Sequence, residues 1–146
     1  MRSNGLPALL LITALLIPAL SAQAQQSPVG RWKTFDQGNP RGIVEIYQAR
    51  DGSLDGRVVE VLDLKGGPNP LCIQCRGTDR RKPIIGMVTL RGLKPDGKGR
   101  WSGGKVLDPE NGKTYKSKLE LLDGGRKLGM SGCIGFLCRQ QVWVRL

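Results

Sequence analysis

The four cysteines are the residues whose type and spacing could do chemistry in this chain of 146 residues, which contains no histidine. Cys72 and Cys75 form a C-x-x-C motif within PNPLCIQCRGTDRRKP, and Cys133 and Cys138 are separated by four residues. Three kinds of site use such a set, namely a redox-active dithiol, a four-cysteine zinc site and disulfide bonds. The surrounding sequence and the compartment in which the chain folds bear on the choice.

A redox-active dithiol would place the C-x-x-C motif at the start of a helix in a βαβ unit. The residues after Cys75 instead indicate an irregular loop, because the turn-forming Gly77 and Pro83 lie within it. Nearby cations would favour a thiolate and keep the redox alternative open; they are Arg76, Arg80, Arg81 and Lys82. Zinc is less favoured, since no histidine is available and the spacing of the second pair is wider than in the usual zinc knuckle.

The first residues of the chain are typical of an export signal. Arg2 supplies a positive charge, residues 6–20 are mostly apolar, and Ala22-Gln23-Ala24 has the small-x-small pattern of a cleavage site. We therefore predict a signal peptide at residues 1–24, a single domain at residues 25–146, and a periplasmic or secreted protein. The alternative is an uncleaved membrane anchor, but the apolar run is short for a bilayer span, and we expect no transmembrane span in the mature chain.

Export favours disulfides, because cysteines in an oxidising compartment are usually paired. Cys133 and Cys138 flank a four-residue segment that fits a hairpin tip, and opposed residues of antiparallel strands lie within disulfide range. Our hypothesis pairs Cys72 with Cys75 and Cys133 with Cys138. Four cysteines allow three connectivities, so a bridge between the C-x-x-C loop and the last hairpin stays open as the alternative.

Short runs with strand character alternate with turns rich in Asp, Asn, Gly and Pro along the predicted domain. The clearest run is residues 113–122, where Tyr115, Ser117, Leu119 and Leu121 alternate with polar residues. The other candidate strands are residues 31–34, 42–48, 57–62, 84–90, 100–107, 127–132 and 140–145. Gly103-Gly104 inside one run suggests a bulge.

These eight candidate strands are joined mostly by connections too short for parallel crossovers, so we expect sequential antiparallel pairing. The one long connection is residues 63–83, which carry the C-x-x-C motif. The pattern predicts an all-β fold, a single eight-stranded antiparallel up-and-down barrel that closes on itself. A two-sheet sandwich is the alternative.

Two features of the sequence resemble lipocalins. Gly30-Arg31-Trp32 opens the first predicted strand and matches the lipocalin G-x-W, and Arg145 closes the last strand. The resemblance implies a barrel-closing pair in which the Arg145 cation packs on the Trp32 indole.

A more extensive resemblance covers nearly all of residues 30–146. The chain is similar to the secreted bacterial domain-of-unknown-function family 2147 through segments that include GRWKT at 30–34, CIQCRGTD at 72–79 and WSGGKVLDPENGKTYKSKLEL at 101–121. The resemblance implies a periplasmic or secreted lipocalin-like barrel and no particular reaction.

An eight-stranded barrel can hold one small ligand, and a binding protein is therefore our first functional hypothesis. We expect a small apolar or amphipathic ligand in the cell envelope, with Tyr47, Trp101 and Tyr115 as candidate lining residues. We expect no catalytic residues, no cofactor and no metal, because the chain lacks histidine. The candidate acid pairs, Asp108 with Glu110 and Asp51 with Asp55, lie at turns, where side-chain-to-backbone hydrogen bonds are their usual role.

The second hypothesis is a basic structural protein that adheres to an anionic envelope surface and has no ligand cavity. Residues 25–146 carry 22 Lys and Arg, one fewer than the whole chain, against 12 Asp and Glu, so their net charge is +10. For an exported protein this charge favours anionic lipid or cell-wall polymers as partners, and we expect no nucleic acid. We expect two candidate basic patches, one formed by Lys113, Lys116, Lys118, Arg126 and Lys127 and the other by Arg76, Arg80, Arg81 and Lys82.

Overall fold

A computed structural model describes residues 27–146, so the predicted signal peptide lies outside the described residues. The strands are β1 (Gly30–Asp36), β2 (Asn39–Gln48), β3 (Leu54–Val61), β4 (Val88–Pro95), β5 (Arg100–Asp108), β6 (Lys113–Leu122), β7 (Lys127–Ile134) and β8 (Leu137–Arg145). Three single 3-10 turns complete the described secondary structure: Leu64–Gly66, Gly77–Asp79 and Asp123–Gly125. No helix among residues 27–146 has the length and apolar character needed to cross a bilayer.

The strands form one closed antiparallel barrel in chain order, and β1 pairs with β8 to complete it. The predicted all-β, eight-stranded up-and-down barrel is thus confirmed, and the sandwich alternative is wrong. The closing ladder is short, since only Trp32 with Arg145 and Lys33 with Val144 are in register across it.

Strand β6 shows how an alternating sequence forms a strand of the barrel wall. Its bounds, Lys113–Leu122, are those predicted, and Ser117 and Leu119 are buried while the intervening lysines are exposed. Strand β4 differs from its prediction, because residues 84–87 belong to the long connection rather than to the strand. Ile84 donates its N–H to the Pro70 carbonyl 2.9 Å away, within that connection, so its β-branched character serves loop packing.

The predicted bulge lies in β5. The register between β5 and β6 shifts between Trp101 and Gly104, and Gly103 has a φ of 75°. A Cβ on Gly104 would lie 2.5 Å from the Leu93 side chain and 2.8 Å from the Arg91 carbonyl oxygen, so only glycine fits there. The bulge therefore lets β4 and β5 approach closely above a filled core.

One half of the barrel interior is filled by large apolar side chains. Seven of them are almost inaccessible to solvent: Trp32, Ile46, Leu54, Leu90, Leu93, Leu119 and Leu128. They lie toward the end of the barrel where β1 begins and β8 ends, which we call the closed end. The turns at this end are short, at residues 49–53, 96–99 and 123–126.

Arg145 ties the closed end together. Its guanidinium lies 4.2 Å from the centre of the Trp32 ring system. The same group donates hydrogen bonds to the carbonyls of Gly125 (2.7 Å), Ser27 (2.7 Å) and Val29 (3.2 Å). Partial burial lowers the pKa of Arg145, but an arginine remains charged in proteins. The Trp32 indole N–H donates to the Pro28 carbonyl at 2.7 Å. The pair implied by the lipocalin resemblance is therefore in contact.

Two disulfides staple the opposite end, which we call the open end. Cys72 is bonded to Cys75 with a Cα separation of 5.3 Å, and Cys133 is bonded to Cys138 across the β7–β8 hairpin with a Cα separation of 4.0 Å. This is the connectivity of our hypothesis, and no cysteine of the described chain is free. The C-x-x-C loop is further held by a bridge between Leu71 and Pro83.

Arg145→Ala should lower the free energy of unfolding by about 2–4 kcal/mol, because hydrogen bonds to charged groups contribute about 1.5–3 kcal/mol and a desolvated cation–π contact about 2. Urea denaturation would measure the loss. Arg145→Lys keeps the charge but cannot reach three carbonyls, so it should recover less than half of the loss. Arg50→Ala, at an exposed turn position, is the matched control, and an equal effect of the two alanine variants would contradict this role for Arg145.

Replacing Cys72 and Cys75 together by serine should lower stability by about 2 kcal/mol, the chain-entropy estimate for a loop of this size. Urea denaturation with and without reductant measures the change, and only the wild type should respond fully to reductant. Peptide mapping of the purified, non-reduced protein provides the check on connectivity. A peptide that joins Cys72 to Cys138 would overturn the pairing.

Candidate functional site

The half of the interior toward the open end contains a cavity of about 850 Å³. Its floor is formed by side chains that also belong to the buried core: Val44, Val58, Met130 and Trp143. Gly42 and Gly132 line the cavity nearer the mouth. A Cβ on Gly42 would lie 2.5 Å from the Glu60 carbonyl oxygen, so the neighbouring strand requires glycine there. A Cβ on Gly132 would lie 3.6 Å from Tyr115 Cβ and 3.7 Å from Val106 Cγ1, which is ordinary contact. The space beside Gly132 is therefore open because this inward position lacks a side chain.

The mouth of the cavity is bordered by the long loop and by the hairpins that join β1 to β2, β5 to β6 and β7 to β8. Apolar side chains from two of these segments are exposed and line the entrance: Leu71, Ile73, Ile134 and Leu137. At the tip of the β7–β8 hairpin, Phe136 is 94% exposed. An apolar molecule that enters the barrel would therefore meet apolar side chains from the rim to the floor.

Charged side chains form a second component of the mouth. Arg41 is ion-paired with both Asp63 and Glu110, and Arg139 lies 2.5 Å from Asp36. Together with Glu60, Lys65 and Asp108, five carboxylates and three cations border the cavity. The entrance thus differs from the chain as a whole, which is strongly basic. Its charged groups are largely paired with one another and have no excess positive charge.

Asp108 is the titratable group at the mouth whose pKa is raised, and burial is the main cause. Its carboxylate accepts hydrogen bonds from the Glu110 N–H (2.9 Å) and from Asn111 Nδ2 (2.9 Å). Asn111 Nδ2 also donates to the Tyr115 hydroxyl at 2.9 Å. Asp108 therefore organises the β5–β6 turn and, through Asn111, holds the Tyr115 side chain at the cavity wall.

Of the other two acids considered at the sequence level, Asp51 serves a turn, whereas Asp55 lies within β3 and accepts a hydrogen bond from β4. Asp51 accepts hydrogen bonds from the N–H (3.0 Å) and hydroxyl (2.6 Å) of Ser53, and these bonds lower the Asp51 pKa. Asp55 accepts from the Gly92 N–H at 2.8 Å. Asp51 lies in the turn between β2 and β3 at the closed end, whereas Asp108 and Glu110 lie at the mouth. The two acid pairs are therefore at opposite ends of the barrel.

The three aromatic residues predicted to line a cavity occupy three different environments. Tyr115 lines the cavity. Trp101 packs against the buried core and does not border the cavity. Tyr47 lies on the outer face of β2, where the Arg57 guanidinium is 5.3 Å from its ring. The predictions for Trp101 and Tyr47 are therefore wrong, because the first points into the filled half and the second points outward.

Trp143 and Met130 line the cavity and were missed by the sequence analysis. Both point inward, since Trp143 is opposite the buried Leu128 and Met130 is opposite the buried Leu119. The signal in the sequence was the alternation of β8, where Gln141 and Trp143 share a face. That alternation shows which face of β8 points inward. It does not show how far along the barrel axis each side chain lies, because the sequence does not reveal which end of the strand is at the closed end.

The predicted basic residues lie on the long loop, on β6 and at the closed end. Arg76, Arg80, Arg81 and Lys82 are exposed on the long loop, and Lys113, Lys116 and Lys118 are exposed on β6. Arg126 and Lys127, which were expected beside the β6 lysines, lie at the closed end. There Arg126 is ion-paired with Asp123 at 2.5 Å, with Lys127 4.0 Å from the same carboxylate. That part of the basic-patch prediction is therefore wrong.

Comparison with known proteins gives one family and one fold. The family model described as "Uncharacterized protein conserved in bacteria (DUF2147)" matches residues 30–145. A solved structure described as "Protein HP1028 from the human pathogen Helicobacter pylori belongs to the lipocalin family" superposes with a TM-score of 0.71 at 21% identity, over 82% of this chain and 83% of that one. At this identity the likeness shows the fold alone. No curated protein matches the sequence.

Proposed function

The chain belongs to the bacterial family DUF2147, and we propose that it is an exported, non-enzymatic barrel that binds a small apolar or amphipathic molecule in the cell envelope. The observation that carries the proposal is the cavity of about 850 Å³ at the open end. Ligand pockets in proteins commonly have volumes of about 300–1,000 Å³.

The size of the cavity means that it must hold something. If it were dry, the cost at about 24 cal/mol per Å³ of void would approach 20 kcal/mol, which exceeds the total stability of most domains. The space is open at the mouth, so water fills it when no ligand is bound. The side chains of Val44, Val58 and Met130 offer water no hydrogen-bond partners. Replacement of this water by an apolar group is therefore favourable.

The distribution of polarity supports an amphipathic ligand. The floor is apolar, and the charged groups are confined to the mouth, where Arg41 and Arg139 are already ion-paired. A molecule with an apolar body and a polar end would bury the body and leave the polar end among these groups. Tyr115, with its hydroxyl bonded to Asn111, lies between the two zones. Binding of this kind requires no chemical step at the site.

The proposed envelope location is supported by the N-terminal sequence and by the disulfides. Residues 1–24 have the features of a cleavable signal, and two disulfides fit an oxidising compartment. The alternative function, adhesion to an anionic envelope surface, applies to a protein without a cavity. Since a cavity is present, surface binding would be an additional property of the outer face.

Gly132→Leu should block the cavity without disturbing the fold. The added Cβ meets Tyr115 and Val106 at ordinary contact distances, and the rest of the side chain extends into the empty space. We expect binding of the fluorescent apolar probe N-phenyl-1-naphthylamine to weaken roughly tenfold, the effect of losing contact with about two methylene groups. Fluorescence titration measures the affinity, and thermal melts verify the fold.

Ser131→Leu is the matched control, since it adds the same side chain to the neighbouring position, on the outer face of β7 opposite Lys118. It should bind the probe as the wild type does. Equal affinity of a folded Gly132→Leu variant would show that the probe binds elsewhere. If the wild type binds neither this probe nor any fatty acid, sterol or lipid fragment in a thermal-shift screen, the carrier proposal fails.

Expression of the full chain in a bacterium tests the location. We expect the protein in the periplasmic or secreted fraction, with a first residue of Gln25 in N-terminal sequencing, because Ala22 and Ala24 form the predicted cleavage pattern. Replacing Ala24 by arginine should abolish that cleavage and leave the longer form. Recovery of a wild-type protein that still begins at residue 1 in the cytoplasmic fraction would contradict the proposed export.

A further inference from the structure

Three cations stand side by side on the outer face of the barrel. Arg91 on β4 is directly opposite Lys105 on β5, and Lys105 is directly opposite Lys116 on β6. All three side chains are exposed. Directly opposed residues of antiparallel strands have Cβ atoms about 4.5–5.5 Å apart, and like charges in such positions repel each other. The row therefore destabilises the folded barrel unless an anion lies against it.

A row of the same geometry elsewhere on the barrel is compensated. Glu45 on β2 lies directly between Arg31 on β1 and Arg57 on β3. Its carboxylate is 2.7 Å from Arg57 and 3.8 Å from Arg31, and the hydrogen bond from Arg57 is the main reason why the Glu45 pKa is lowered. Lys105 thus occupies the central position that an acid, Glu45, occupies in the compensated row. Within residues 27–146, no carboxylate lies within 4.0 Å of the cationic groups of Arg91, Lys105 and Lys116.

A groove of about 320 Å³ lies beside the row of Arg91, Lys105 and Lys116, and it shares Thr89 and Leu107 with the lining of the ligand cavity. Arg76, Arg91 and Lys105 all line it, and Asp79 is the acid among the described residues that border it. Hydroxyl groups are also available as hydrogen-bond donors, from Thr89 and Thr114. The groove therefore combines three cations with neutral donors in a concave surface.

The stapled loop holds Arg76 at the groove. Arg76 directly follows the Cys72–Cys75 disulfide. The loop before it packs closely on the β5–β6 turn, because a Cβ on Gly112 would overlap the Gln74 carbonyl oxygen. Two backbones in contact leave the loop little freedom to move away. The C-x-x-C motif thus has a positioning role, in which the disulfide fixes a cation beside the strands.

We propose that the groove formed by Arg76, Arg91 and Lys105, with Lys116 at its edge, binds a phosphate-bearing anion. A phosphate group offers several acceptor oxygens to the guanidinium forks and the ammonium group at once. Its charge would also take the place of the acid that the row lacks. The four cations of the site do not border the proposed ligand cavity, so anion binding by them does not require a ligand in the cavity. The shared chemistry fits either a soluble phosphorylated compound or the head group of a phospholipid.

Lys105→Glu provides a sharp test, because it recreates the cation–acid–cation order of the row around Glu45. We expect this variant to melt at a higher temperature than the wild type and to lose binding of inorganic pyrophosphate. Each unit charge at about 4 Å in water contributes a factor of roughly five, so a charge reversal should weaken binding about 30-fold. Isothermal titration calorimetry at an ionic strength of about 0.1 M measures the affinity.

Lys98→Glu is the matched control. Lys98 is exposed in the short turn between β4 and β5 at the closed end, and its replacement changes the net charge by the same amount. It should bind pyrophosphate within about twofold of the wild type, since a Debye length of about 10 Å at 0.1 M salt screens distant charges. Loss of binding with a raised melting temperature in Lys105→Glu excludes misfolding as the cause.

Two arms distinguish the source of the phosphate. If vesicles of phosphatidylglycerol and phosphatidylcholine sediment the wild type but not Lys105→Glu, and pyrophosphate competes, the groove binds lipid head groups. If pyrophosphate binds in a Lys105-dependent way and vesicles do not, the ligand is a soluble phosphate compound. The proposal is overturned if Lys105→Glu binds both probes as the wild type does, if Lys98→Glu loses as much, or if the wild type binds neither.

Discussion

The contact between Arg145 and Trp32 is the interaction on which the rest of the structure depends. It lies at the ladder that joins the first strand to the last, and that ladder has two residue pairs in register. Arg145 adds to these the three carbonyls that it reaches and the face of the indole. Without a closed seam the interior would be one face of an open sheet, and neither a filled half nor an enclosed cavity would exist.

Closure at one end allows the other end to be used differently. The closed half is packed with bulky side chains around Trp32, and it can therefore carry most of the hydrophobic stabilisation. The open half has Gly132 at an inward position and leaves its space unfilled. The loss of packing there is offset by covalent staples and by ion pairs at the rim, such as that of Arg139 with Asp36. The barrel thus separates a densely packed half from a half that contains the cavity along its axis.

The sequence predicted the architecture well where the two faces of a strand differ clearly. Strand β6 alternates lysines with Tyr115, Ser117 and Leu119, and its bounds agree with the structure to the residue. Strand β2 has Ile43 and Tyr47 on one face and Val44 and Ile46 on the other, so both faces are apolar and Tyr47 was assigned to the wrong one. How far along the barrel axis a side chain lies depends on the tertiary structure. The position of Trp101 in the filled half therefore could not be predicted from the sequence. The row of Arg91, Lys105 and Lys116 depends on cross-strand register, and a bulge at Gly103 helps to set that register.

The seam between the first and last strands also has a kinetic consequence. The hydrogen bond from Arg145 to Val29 joins residues 116 positions apart in the chain, so the loop-closure entropy of nearly the whole domain opposes it. The hairpins between neighbouring strands close short loops, whereas this contact closes the longest one, so we expect it to form last. Until then β1 and β8 are two unprotected edges, each able to pair with another molecule. We therefore expect slow refolding, with a yield that falls as protein concentration rises.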